Sequence, residues 1–148
     1  MRLFVMIFLF AFMETAASPQ QQSSAKDADV QRFDGTWGVT LTCADFKDSK
    51  GGAKGYIYRF LAHVKDGVLS GEHGRENESG WLRYDGRIER DGTATISAKG
   101  ITGDPQTSVG QISRGTPYSY RVKAEFEESS GRGTRVDLRP CDVIFIKQ

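Results

Sequence analysis

Long apolar runs are missing from this chain: the longest, from Leu3 to Met13, has eleven residues, too few to cross a bilayer. Charge of one sign is missing too. Twenty Lys and Arg stand against nineteen Asp and Glu, for a net charge of +1. That balance argues against an electrostatic nucleic-acid binder and against a polybasic membrane binder, both of which need a basic patch. Helical periodicity is absent from every window longer than about ten residues, so nothing competes with a strand reading. There is no Gly-x-Ser-x-Gly elbow, no glycine-rich phosphate loop and no His-x-x-x-His pair. Cysteine and histidine are scarce, with two of each in 148 residues.

The eleven-residue run sits behind Arg2 and ahead of Thr15-Ala16-Ala17-Ser18, a basic residue, an apolar core and small residues in the order of a secretory signal peptide. Residues 1–18 are therefore expected to be a signal peptide, with a membrane anchor as the competing reading. Residues 19–32, rich in Gln, Ser and Ala at the start, are expected to be a disordered lead-in. Residues 33–148 then form one domain, long enough for a single core.

That domain reads as all-β. From Trp37, the residues Trp37, Val39, Leu41 and Cys43 share one face, and Gly38, Thr40 and Thr42 the other. After a polar loop over 44–54, Tyr56, Tyr58, Phe60, Ala62 and Val64 alternate in a long strand. Asp66-Gly67 is a two-residue hairpin turn, and a return strand runs over 68–73. A polar turn over 74–80 holds the glycosylation sequon Asn77-Glu78-Ser79. Strands follow over 81–89, where Gly86 suggests a bulge or bend, and over 93–101 after the turn Asp91-Gly92. Residues 108–113 form a weak candidate strand. Tyr118, Tyr120, Val122, Ala124 and Phe126 then give the cleanest alternation of the chain. A Gly/Ser turn over 127–133 leads to one long last strand over 134–147, with Pro140 at a bulge or unpaired position.

These strands total eight with the weak one and seven without it. Eight allow first and last to pair antiparallel, as an up-and-down barrel requires. Seven point to a β-sandwich as the alternative. Placing Cys43 opposite Cys141 sets Leu41 against Val143 and Val39 against Phe145, which brings the apolar positions together. With two cysteines in an exported chain, a disulfide joining the first and last strands is expected, against two buried thiols. On the chain-entropy picture, closing so long a loop stabilises the fold by about 4–5 kcal/mol.

Gly35-Thr36-Trp37 at the opening strand resembles the start of avidin-like and lipocalin-like (calycin) barrels. Asp66-Gly67-Val68-Leu69-Ser70-Gly71 resembles an avidin-type second hairpin, and the whole domain to Phe145-Ile146-Lys147 is similar to small secreted proteins of alphaproteobacteria. The first two imply a barrel that holds a small ligand; the last spans nearly all of the mature chain but carries no known activity. Avidins line their site with tryptophans from later strands. Nothing after Trp81 is Trp here, so no biotin-site residue carries over. Lipocalins pack a late arginine on the opening Trp, a place that Arg121, Arg135 or Arg139 would take.

Chemistry is weakly signalled. His63 falls on the less apolar face of its strand. Glu72 and His73 are adjacent and point to opposite faces of theirs, poor geometry for one metal or one acid–base pair. Glu125 and Glu127 fall on an outer face. No catalytic residue, metal site or cofactor is expected. The aromatics are more suggestive, because an eight-stranded barrel either fills with side chains or holds one small ligand. Trp37, Tyr56, Tyr58, Tyr118 and Tyr120 are the candidate ligand-binding residues. The expected function is that of an exported, periplasmic or secreted, non-enzymatic protein holding a small, partly apolar ligand in the barrel mouth. The alternative is a protein-binding module such as a periplasmic hydrolase inhibitor, using the loops at 44–54 and 74–80. Partners are thus a small molecule or a protein, with no nucleic acid and no membrane span in the mature chain.

Cys43→Ser is expected to lower the melting temperature under oxidising conditions and to leave it nearly unchanged under reducing ones. Equal loss in both conditions would refute the disulfide.

Overall fold

The computed structural model describes residues 29–49 and 51–148. The expected signal peptide and residues 19–28 of the expected lead-in lie outside them. The described chain is all-β, with strands β1 (Gly35–Cys43), β2 (Phe46–Asp48), β3 (Gly51–Ala53), β4 (Tyr56–Lys65), β5 (Val68–His73), β6 (Leu82–Ile88), β7 (Thr93–Ile101), β8 (Pro117–Phe126), β9 (Ser130–Arg135) and β10 (Asp142–Lys147). Eight of them close an antiparallel barrel in the order β1-β10-β9-β8-β7-β6-β5-β4, while β2 and β3 form a separate hairpin. The sandwich alternative is thereby excluded.

Closure follows the register that the alternation demands. Val39 pairs with Phe145 on one side and Phe60 on the other; Leu41 pairs with Val143 and Tyr58. Cys43 and Cys141 are joined by a disulfide across 98 residues. Asp66-Gly67 turns the β4–β5 hairpin with both φ angles positive, at +50° and +73°, as a tight hairpin twisted with its strands requires.

Three expectations need correction, and they compensate one another. Residues 108–113 are not a strand; they belong to a long β7–β8 connection over 102–116 that opens with a 3-10 turn, Pro105–Thr107. The eighth barrel strand is instead β9, in a stretch that reads as a turn because of Gly131 and Gly133. Those glycines make room. A Cβ on Gly131 would come within 2.8 Å of the Phe126 ring, and one on Gly133 within 2.9 Å of Val122. The long last strand is really two, β9 and β10, with a reversal over 136–141. Leu138 takes a left-handed φ of +60° there and is 68% exposed, and the Arg135 amide closes the hairpin on the Cys141 carbonyl at 2.9 Å.

Smaller differences follow from packing. The loop over 44–54 contains the β2–β3 hairpin. Gly86 makes no bulge: β6 pairs without interruption with both neighbours, and a Cβ there would meet Ile96 and the Thr95 carbonyl at 3.0 Å. Ile57 and Leu61, on the outer face of β4, lie half exposed.

One end of the barrel is sealed. A turn of helix at residues 29–31 leads into Phe33, which is fully buried. The Trp37 indole N–H donates to the Phe33 carbonyl at 2.8 Å, and its ring meets Phe126 edge-on at 5.3 Å; Phe126 in turn packs on Phe145 at 4.7 Å. None of the three arginines considered for the Trp37 ring lies over it. Lys147 does, at 5.9 Å, and also donates to the Arg32 carbonyl. Above this floor Leu41, Leu69, Leu82, Ile96, Val122 and Val143 fill the interior.

Trp37→Ala should cost about 3–5 kcal/mol in chemical denaturation, because it removes the largest side chain of the floor. A cost under about 1 kcal/mol would mean that the floor does not depend on it.

Candidate functional site

The other end of the barrel collects all five tyrosines of the chain. β4 starts there with Tyr56 and Tyr58 on its inner face, β8 starts there with Tyr118 and Tyr120, and β6 brings Tyr84 in below Leu82. The rings form a connected set. Tyr56 and Tyr58 are 4.9 Å apart, Tyr58 stacks on His73 at 4.0 Å, and Tyr118 lies parallel to Tyr120 at 6.0 Å. The buried hydroxyls of Tyr84 and Tyr120 satisfy each other at 3.1 Å.

Two connections complete the mouth. The 102–116 connection is held by the Thr102 amide on the Thr116 carbonyl and by the Lys54 amide on the Gln106 carbonyl; the Asp104 carboxylate caps its 3-10 turn through the Gln106 amide. The β9–β10 hairpin contributes two arginines. Arg135 lays its guanidinium over the Tyr120 ring at 4.1 Å and donates through Nε to the Asp137 carbonyl. Arg139 is only 2% exposed and faces the Tyr56 ring at 5.5 Å. It donates to the carbonyls of Thr107, Lys54 and Ala44, so one side chain ties three connections together. Its Nε has no hydrogen-bond partner among the described residues.

Between these walls lies a cavity of about 210 Å³, lined by Tyr56, Tyr58 and Tyr118 with Val109, Ile112, Thr102, Arg135 and Arg139. Sites for drug-sized ligands run from about 300 Å³ upward, whereas about 150 Å³ accepts benzene. The space therefore suits one ring-sized group. A larger outer depression of about 1140 Å³ carries Arg87, Lys123 and Arg132 interleaved with Glu89, Glu125 and Asp142. Its opposite charges alternate and converge on no point.

Of the candidate ligand residues, the structure brings Tyr56, Tyr58 and Tyr118 to the cavity. Tyr120 lies beneath, covered by Arg135, and Trp37 is at the opposite, sealed end. Arg135, Arg139 and the 102–116 connection were missed as site elements. The arginines sit in a stretch that reads as one long strand with a bulge at Pro140, and the connection reads as a weak strand.

The histidines and carboxylates stay apart. His73 Nδ1 lies 3.1 Å from the Gly80 carbonyl, which can only accept, so Nδ1 carries the proton. His63 is exposed beside the Thr36 hydroxyl, and Glu72 accepts from the Trp81 indole on the outer face. Among the described residues no group of three or more His, Cys, Asp or Glu side chains could hold a metal ion.

Burial raises the pKa of every tyrosine. Desolvation is the leading cause for Tyr56, Tyr58, Tyr84, Tyr118 and Tyr120; Arg135 and Arg139 partly offset it at Tyr56. Burial likewise pulls the Arg139 guanidinium below its ordinary value, and the nearby Tyr56 pulls it back.

Comparison with known proteins finds no matching family model, no matching curated protein and no matching solved structure.

A tyrosine that holds its proton more tightly when folded contributes stability that is fully present below its unfolded pKa of about 10 and is lost as pH rises above it. In an alkaline titration, phenolate absorbance should therefore lag behind that of free tyrosine and then rise together with loss of β-sheet circular dichroism. A phenolate signal that develops near pH 10 with the fold intact would contradict the burial of the mouth tyrosines.

Proposed function

We propose that the domain is an exported, non-enzymatic binding protein that holds a small, partly apolar ligand in the mouth of the barrel. The observation that carries the reading is the tyrosine-walled cavity at the end opposite the sealed floor. Tyrosine suits such a place, with a large apolar face for the ligand and a hydroxyl for its polar edge. Because the interior below is filled, the ligand would sit under the 102–116 connection rather than deep in the barrel. The calycin resemblance belongs to the same proposal, moved from the barrel interior to its rim.

Export to the periplasm or the exterior is part of the reading. An intramolecular disulfide accords with an oxidising compartment. Among the described residues no helix is long and apolar enough to cross a membrane.

A protein-binding module remains the second reading, because the same rim exposes Ile112 and Leu138 beside the β2–β3 hairpin.

Amide chemical-shift mapping with small neutral aromatics such as phenol and indole separates the two. Saturable shifts confined to Gly103, Val109, Ile112 and Ser119 are expected. No saturable shift, or shifts confined to the β2–β3 hairpin, would overturn the small-ligand reading and direct the search to a protein partner.

A further inference from the structure

We propose that the mouth cavity takes a small planar carboxylate, its ring among Tyr56, Tyr58 and Tyr118 and its charge facing Arg135 and Arg139. The inference rests on the binding reading above and adds the charge and shape of the ligand.

The argument is one of unbalanced charge. Buried cations are normally paired, because removal from water is costly without a counter-charge. Among the described residues neither Arg135 nor Arg139 has a carboxylate within 4.0 Å, although five other ion pairs form. The acids of the rim stay beyond ion-pair distance of both and hold other partners, although Asp45 still attracts Arg139, and Asp137 Arg135, across the wider gap. Asp45 accepts the Gly55 amide, Asp104 the Gln106 amide, and Asp137 both the amide and the guanidinium of Arg121. Arg139 donates hydrogen bonds only to backbone carbonyls, which solvate its charge without cancelling it, and its Nε–H is unpartnered among the described residues.

The neighbours select the kind of anion. Three of the five N–H protons of Arg139 already go to carbonyls, which leaves few donors for a phosphate that would need many. A single carboxylate is better matched. Aromatic faces, Val109 and Ile112 favour a flat apolar body, and about 210 Å³ limits it to roughly one ring.

Benzoate, benzamide and benzamidine have nearly the same shape and carry a negative, a neutral and a positive head. Calorimetric or NMR titration of the oxidised protein should rank them in that order, benzoate binding about tenfold or more tighter than benzamide. Arg135→Gln should narrow that ratio to about threefold or less; a full ratio retained in this variant would overturn the assignment to Arg135. If the variant does not fold, the wild-type ranking decides. Benzamide or benzamidine binding as tightly as benzoate would overturn the inference and leave the small-ligand reading standing. Absence of binding by all three would overturn both.

Discussion

Closure of the barrel along β1 is the constraint on which everything else depends. β1 is the one strand that must satisfy two distant partners, β4 after the β2–β3 hairpin and β10 at the end of the chain. Its side chains alternate with period two, so a one-residue slip on either side would exchange Trp37, Val39 and Leu41 for Gly38, Thr40 and Thr42 in the interior. Register on both sides is thus set by one apolar face. The Cys43–Cys141 bond holds the same alignment at the mouth end, and the Trp37–Phe126–Phe145 contacts hold it at the floor. An open edge would leave a row of unpaired backbone groups; closure removes it.

Along the axis so fixed, the buried non-polar rings and the tyrosines gather at opposite ends, with Phe60 packed between them against Tyr84 and His73. Phe33, Trp37, Phe126 and Phe145 lie at the sealed end, and all five tyrosines lie at the other. A phenylalanine needs no partner and can end a core outright. A buried tyrosine must place its hydroxyl, which only the rim allows, or pair with another, as Tyr84 and Tyr120 do. The barrel thereby acquires a dry floor and a polar-edged mouth, and any ligand chemistry is confined to one end.

Most of the barrel was legible from alternation and from the two Asp-Gly turns, because a half-buried strand cannot hide its period. The failures have specific physical causes. Gly131 and Gly133 read as a turn, yet they are strand residues whose missing side chains leave space for Phe126 and Val122, and that space is visible only from the neighbouring strand. The reversal at Leu138 carries no glycine, and its one mark in the sequence, Pro140, reads equally well as a bulge in a single long strand. For the site, inward-facing tyrosines could be identified by face alone. Depth could not, so Trp37 was grouped with residues at the opposite end. Arg135 and Arg139 escaped for a related reason: a side chain on an unrecognised hairpin has no predictable neighbours.

The mouth illustrates how a structural requirement can create a chemical one. Three connections, over 44–54, 102–116 and 136–141, meet at the rim, each presenting backbone carbonyls that need donors. Arg139 supplies them from one planar fork, reaching Ala44, Lys54 and Thr107 at once. A carboxylate has no protons to give, and a lysine ammonium could not spread its donors over the same span. The residue best able to knot the rim is therefore also one that cannot lose its charge. With no carboxylate of the described residues within 4.0 Å, that charge borders the cavity together with Arg135. The two guanidinium groups beside the cavity then follow from how the rim is tied.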